Sequence, residues 1–325
     1  MNATLARPVS ARATASARLD GIMRRRRRGL AIGIGAALAA AAIWGAALAM
    51  TRLGVAGSGA LAPLDIVVLR FLGPALLLLP VLVRAVPKLR ATSPLPLLGL
   101  FVGGGAPFVL VVSMGLQSAG AAEAGALLPG TVPLSVAALS VLLGERFERA
   151  RLAGFGLIAR AVTVLVGPAA IGASGSWTGY AMLLTASALC AVYTLALRRA
   201  GLAPLEVVAF VAAGSVLALL PATLAGLGET LLAAPWREVA AQALYQSLAS
   251  GLIAPAAFAV AVARLGGAQA AAFGSLSPAA ATLTGMALLG ETPDTLALAA
   301  VLASGAGVAL VNLGARRPQP GASQR

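Results

Sequence analysis

The sequence reads as an all-α membrane protein of ten transmembrane helices, arranged as two inverted five-helix repeats. Three observations lead there: the composition, the placement of basic residues between apolar runs, and matching segments in the two halves of the chain. Of 325 residues, 59% are apolar and 10% charged, against about 25% charged in an average soluble domain. A water-facing surface needs more charge than this, and a lipid-facing one does not.

The first span is a run of 23 uncharged residues, 29–51. As a helix it is about 34 Å long, enough for a hydrocarbon core of about 30 Å. The second, 64–83, is interrupted by Arg70. The others are 95–116, 124–143, 152–171, 177–197, 204–227, 239–263, 269–289 and 295–314. Alternating these spans from a cytoplasmic N-terminus puts 20 of the 24 Lys and Arg on one side. Only Arg52 and Arg237 fall on the other side, and Arg70 and Arg160 lie within spans. Basic loops stay in the cytoplasm, so both termini are expected there. The run Arg24 to Arg28 precedes too long an apolar stretch for a cleaved leader and reads as the flank of a retained first helix. The first 20 or so residues read as an unstructured tail.

The net charge of +14 does not indicate nucleic-acid binding. The basic residues sit in short loop clusters, and aromatics make up only 4% of the chain, so there is no basic stripe with interleaved aromatics. Cys190 is the single cysteine, which rules out an intramolecular disulfide, and the chain has no histidine. Histidine-based zinc sites and Ser-His-Asp triads are therefore excluded, and no metal or other cofactor is expected. No phosphate-cradling GxxxxGK[ST] loop is present, so ATP is not the energy source. The chain is not expected to be an enzyme: a membrane-embedded one would cluster acids or histidines, and here the acids are scattered.

The halves match in three places, in the same order. Leu61-Ala-Pro-Leu-Asp-Ile-Val-Val68 matches Leu202-Ala-Pro-Leu-Glu-Val-Val-Ala209. Leu142-Leu-Gly-Glu145 matches Leu288-Leu-Gly-Glu291. Leu48-Ala49, Arg52 and Gly54 match Leu195-Ala196, Arg199 and Gly201. A five-span unit is odd, so the second half begins on the opposite side of the membrane. Inverted repeats of this kind are a plan for alternating access around a central site. The expected organisation is a basic cytoplasmic tail 1–28, repeats 29–172 and 173–315, and a cytoplasmic tail 316–325.

With these segments in view, the chain resembles drug/metabolite transporters of the EamA type, over about residues 30 to 315. Each half carries a Pro, an apolar run and Gly-Glu: Pro133 to Glu145, and Pro278 to Glu291. Trp44-Gly45 stands where the family has Trp-Gly in its first helix, and Arg70-Phe71 where it has Arg-Phe in its second. The resemblance implies a secondary transporter, working without ATP, that exports amino acids, other metabolites or drugs from a bacterial inner membrane. Glu123 and Arg160 depart from the pattern, which usually has small or apolar residues there. A channel or a non-transporting membrane partner protein is the alternative; a channel is built around rings of like charge or carbonyls, and a scaffold has no use for Arg70.

Eight residues form the expected substrate site: Trp44, Arg70, Phe71, Glu123, Pro133, Tyr193, Ser277 and Pro278. A charge within a span costs about 2.5–3.5 kcal/mol on insertion scales, so Arg70 should meet a cavity or a partner. Arg70 reads either as a contact for an anionic substrate group or as half of a structural ion pair. Asp65, five residues earlier, is on the wrong face of the same helix for that pair. Glu123 reads as a proton-coupling carboxylate, a counter-ion for Arg70, or a solvated carboxylate at a helix N-terminus. Pro133 and Pro278 interrupt spans at corresponding positions, which points to a binding site between the halves. Asp65 and Glu206 read as first-turn caps, and Arg160 as a side chain reaching for the interface. The expected partners are a small-molecule substrate and the bilayer, with a homodimer as the assembly to test and no nucleic acid.

Overall fold

The structure is a computed structural model that describes residues 8–57, 61–142, 144, 149–171, 176–224 and 229–314. Among these residues all regular structure is helical. Among the described residues eight helices are long and apolar enough to cross a membrane, nine with a bent pair, and the shorter apolar helix Leu152–Pro168 brings the number to ten. The protein is a multi-pass membrane protein with ten spans.

The first span is the end of a helix, Pro8–Arg52. This corrects the expectation of an unstructured tail over its first part. The stretch is rich in Ala and Arg, both good helix formers, and extends the span without a break. The sixth, seventh and tenth spans are the single helices Trp177–Ala200, Pro204–Leu224 and Thr295–Gly314. The fifth is Arg149–Ala170.

The second span is not straight. It consists of Pro63–Leu77 and Leu79–Ala91, bent by 84°. Pro74 and Pro80 each remove a backbone donor, and the second piece restarts with Pro80 in its first turn. The third span breaks at Gly105, between Pro94–Gly104 and Ala106–Leu116. There the Ala106 N–H finds the Ser215 hydroxyl of the seventh span at 2.9 Å. The fourth span breaks between Ala121–Leu127 and Val132–Leu142. The eighth runs through Trp236–Ala243, a π-helix Leu244–Ile253, and Ala254–Leu265. The ninth passes from Gly267–Ala272 through the 3-10 turn Phe273–Leu276 into Ser277–Leu289.

Packing repeats between the halves as the sequence does. The first span lies against the eighth and ninth, and the sixth, its counterpart, lies against the third and fourth. Counterparts also meet directly: second with seventh, fourth with ninth, fifth with tenth. Asp65 Oδ2 accepts the Ala62 N–H at 2.8 Å, and Glu206 Oε2 accepts the Ala203 N–H at 2.8 Å. The two matching segments thus fold into the same first-turn cap. The glycines of the two Gly-Glu signatures also share a role: Gly144 has φ 86° and Gly290 φ 64°. Only a residue without Cβ sits easily in that left-handed conformation at a helix end. Glu145 lies outside the described residues.

Candidate functional site

Arg70 sits in the middle of the helix Pro63–Leu77, partly buried against the eighth span. Its Nη1 donates to Gln246 Oε1 at 2.9 Å. Gln246 is fully buried, and its Nε2 donates to Thr51 Oγ1 at 3.0 Å and to Gln242 Oε1 at 3.2 Å. Gln242 in turn donates to the Met50 carbonyl at 2.6 Å. Among the described residues Arg70 has no carboxylate: the ion pairs are Arg52–Glu291 and Lys88–Glu206. Asp65 is occupied by the Ala62 N–H and the Thr230 hydroxyl. The ion-pair reading of Arg70 therefore finds no partner among the described residues, and the neutral Gln246 amide is the group bonded to the guanidinium.

The π-helix Leu244–Ile253 builds the opposite wall. Such segments leave i→i−4 geometry and occur often at functional sites. Pro74 has no N–H, which frees the Arg70 carbonyl, and a Cβ at Gly251 would stand 3.0 Å from that oxygen. The Ser247 hydroxyl donates to the Leu69 carbonyl. Ser250 is buried and its hydroxyl has no hydrogen-bond partner, so a polar atom is left over next to this wall. Trp44 Nε1 donates to the Ser250 carbonyl at 3.3 Å, and its ring lies 5.6 Å from that of Phe258. Tyr245 donates to the Ile43 carbonyl at 2.8 Å. Arg70 and Trp44 of the expected site thus face one element, the eighth span. Gln242, Tyr245, Gln246 and Ser250 of that span are not among the residues expected from the sequence. Two glutamines one turn apart inside an apolar span are the signal that could have found them.

The other expected residues are placed as follows. Phe71 is buried in the main apolar core, packed rather than presented. Ser277 and Pro278 are buried where the ninth span crosses the first and fourth. The Ser277 hydroxyl donates to the Ala41 carbonyl at 3.2 Å, and a Cβ on Gly45 would come within 2.5 Å of the Ser277 carbonyl oxygen. In the other half, Thr131 donates to Ser187 Oγ at 2.7 Å, and Ser135 shares that hydroxyl at 2.9 Å. Thr131 and Ser277 stand 146 residues apart in sequence, at corresponding breaks. Pro133 follows its break, half-buried, and Tyr193 packs over Gly103 and Gly104 of the third span. Arg160 is exposed on the fifth span.

Glu123 lies at the end of the molecule where the first span finishes. Its Oε1 accepts the Tyr180 hydroxyl at 2.6 Å and its Oε2 the Gly120 N–H at 2.8 Å. It is not a counter-ion for Arg70. At the same end, Arg52 pairs with Glu291 and donates to the carbonyls of Leu116 at 2.9 Å and Ala119 at 2.7 Å. Glu291 Oε2 accepts the Ala121 N–H at 2.9 Å. Spans one, three, four and nine are tied together by this latch. At the opposite end the pair is Lys88–Glu206, with Lys88 mostly exposed.

The sequence model of the EamA-like transporter family matches residues 31–167 and again 177–313. A solved crystal structure of a protein shares the fold, with 24% identity, a TM-score of 0.54, and coverage of 90% of this chain and 99% of its own. No curated protein is a significant match.

Proposed function

Because the chain belongs to the EamA-like transporter family, we propose that it exports a small metabolite bearing an anionic group, such as a carboxylate, and that Arg70 holds that group. The observation that carries this reading is the charge on Arg70, which hydrogen-bonds the neutral Gln246 amide and has no carboxylate partner among the described residues. An uncompensated charge within a span is costly, and a substrate anion is a counter-charge that can come and go. Gln246 holds the guanidinium in place through that bond.

Transport proceeds by alternating access between the inverted halves, without ATP. In a bacterial inner membrane with both termini cytoplasmic, the Arg52 end faces outside, as the distribution of Lys and Arg favours. The Arg52–Glu291 latch then closes the outer face, and its release lets the substrate out. The test is counterflow in liposomes loaded with amino acids and small carboxylates, read by mass spectrometry for wild type and Arg70→Ala. The reading requires one anionic class to exchange through wild type and at least tenfold more slowly through Arg70→Ala. Equal exchange through both proteins would overturn it.

A further inference from the structure

A groove of about 510 Å³ lies between the third, fourth and sixth spans, away from Arg70 and the π-helix. Its walls include Leu95, Leu98, Leu139, Leu142 and Leu195, and at one mouth stands Arg199. Leu95 is 72% and Leu142 81% exposed. Leucines so open cannot face water at low cost, since full burial of such a side chain is worth about 1.5–3 kcal/mol. In a membrane-spanning chain their natural neighbour is an acyl chain. Along the third span the lining runs from Leu95 to Val102, a rise of about 10 Å, roughly two thirds of one leaflet's hydrocarbon depth.

The mouth has the opposite character. Arg199 is exposed and, among the described residues, bonds to no other group. Arg198 precedes it, and the helix ends at Gly201 in the left-handed conformation. The helix Pro94–Gly104 begins at the same mouth, and the Ser93 side chain makes no cap hydrogen bond to it. The positive end of that helix lies beside the guanidinium, but Pro94 and Pro96 have no N–H to offer there, so Arg199 is the main attraction for an anion. The counterpart of Arg199 in the first half is Arg52, whose guanidinium is taken up by Glu291 and two carbonyls. Of these two counterparts, Arg199 is the one left to receive an outside anion among the described residues.

We propose that this groove is a binding site for an anionic phospholipid, with its phosphate between Arg199 and the start of the third span and one acyl chain in the leucine-lined channel. The lipid holds the third, fourth and sixth spans together from the membrane side. Its headgroup meets the basic end of the molecule, where anionic lipid is attracted to Arg and Lys.

Native mass spectrometry of the full chain, titrated with phosphatidylglycerol or with phosphatidylcholine of the same acyl chains, tests this. Wild type should retain at least one phosphatidylglycerol at concentrations where phosphatidylcholine has been lost, with an apparent preference of fivefold or more. Arg199→Gln should lose that preference and Arg199→Lys should keep most of it, while Arg84→Gln, on an exposed helix away from the groove, should behave as wild type. Thermal midpoints of all four proteins, read without added lipid, report whether each is folded. Equal retention of the two lipids by wild type, or an undiminished preference in a folded Arg199→Gln, would overturn the proposal, and an equal loss in Arg84→Gln would assign the effect to general surface charge. Substrate exchange is not part of the readout, so the lipid site and the role of Arg70 stand or fall separately.

Discussion

Arg52 at the end of the first span and Glu291 after the ninth form an ion pair, and each is further bonded to the backbone of the third or fourth span. Both side chains are only 22% exposed, so solvent screens them less than a surface pair. Hydrogen bonds to charged groups contribute about 1.5–3 kcal/mol each when a partner is removed. Glu291→Gln keeps the shape and removes the charge. It should favour the state open at this end by roughly tenfold. With Cys190, the single native cysteine, replaced by serine, a cysteine placed at Ser250 should react several-fold faster with a membrane-impermeant maleimide in Glu291→Gln. An unchanged labelling rate would show that the latch does not govern access.

Gln246 positions Arg70 through one hydrogen bond. Gln246→Leu should raise the substrate KM about ten- to a hundredfold, in line with the loss of a bond to a charged group. The maximal rate should change less. Exchange rates over a range of substrate concentrations separate the two effects.

The crossing of the first and ninth spans depends on Gly45. A Cβ there would stand 2.5 Å from the Ser277 carbonyl and 2.6 Å from Ala280 Cβ. Gly45→Ala must push the helices apart, at a cost of about 1–3 kcal/mol. The measurement is the thermal midpoint in detergent, which should fall by several degrees. Gly35→Ala, where a Cβ meets nothing within 4 Å, should leave it unchanged or slightly raised.

Lys88 is 61% exposed and pairs with Glu206 at the opposite end from the latch. An exposed pair is screened and contributes little. Lys88→Ala should leave both the thermal midpoint and the exchange rate as they are, in contrast to Glu291→Gln.

Much of this architecture is legible in the sequence. The spans follow from apolar length, and the inverted repeat follows from segments such as Leu61–Val68 and Leu202–Ala209, which fold into identical caps. Arg70 is conspicuous because a charge within a span is rare. Pro133 and Pro278 mark real breaks, since proline cannot continue the backbone ladder. The rest depends on which helices meet. Nothing local to Arg52 or Glu291 announces their pairing across 239 residues. The 84° bend at Leu78 follows from prolines that also occur in straight helices, as Pro221 does in the seventh span. The π-helix has no periodic signature of its own, although Gln242 and Gln246 stand out as polar residues in an apolar stretch. Phe71 shows the opposite error: it is adjacent to Arg70 in sequence, but one residue along a helix turns the side chain into the core.

A role for Arg70 in receiving an anionic group of the substrate leads to a discriminating experiment, a paired competition. A carboxylate exchanged by the wild type is set against its neutral amide, in liposomes containing either wild type or Arg70→Gln. Wild type should prefer the acid at least tenfold, and Arg70→Gln, folded by its thermal midpoint, should lose the preference. A folded Arg70→Gln that still prefers the acid would contradict that role.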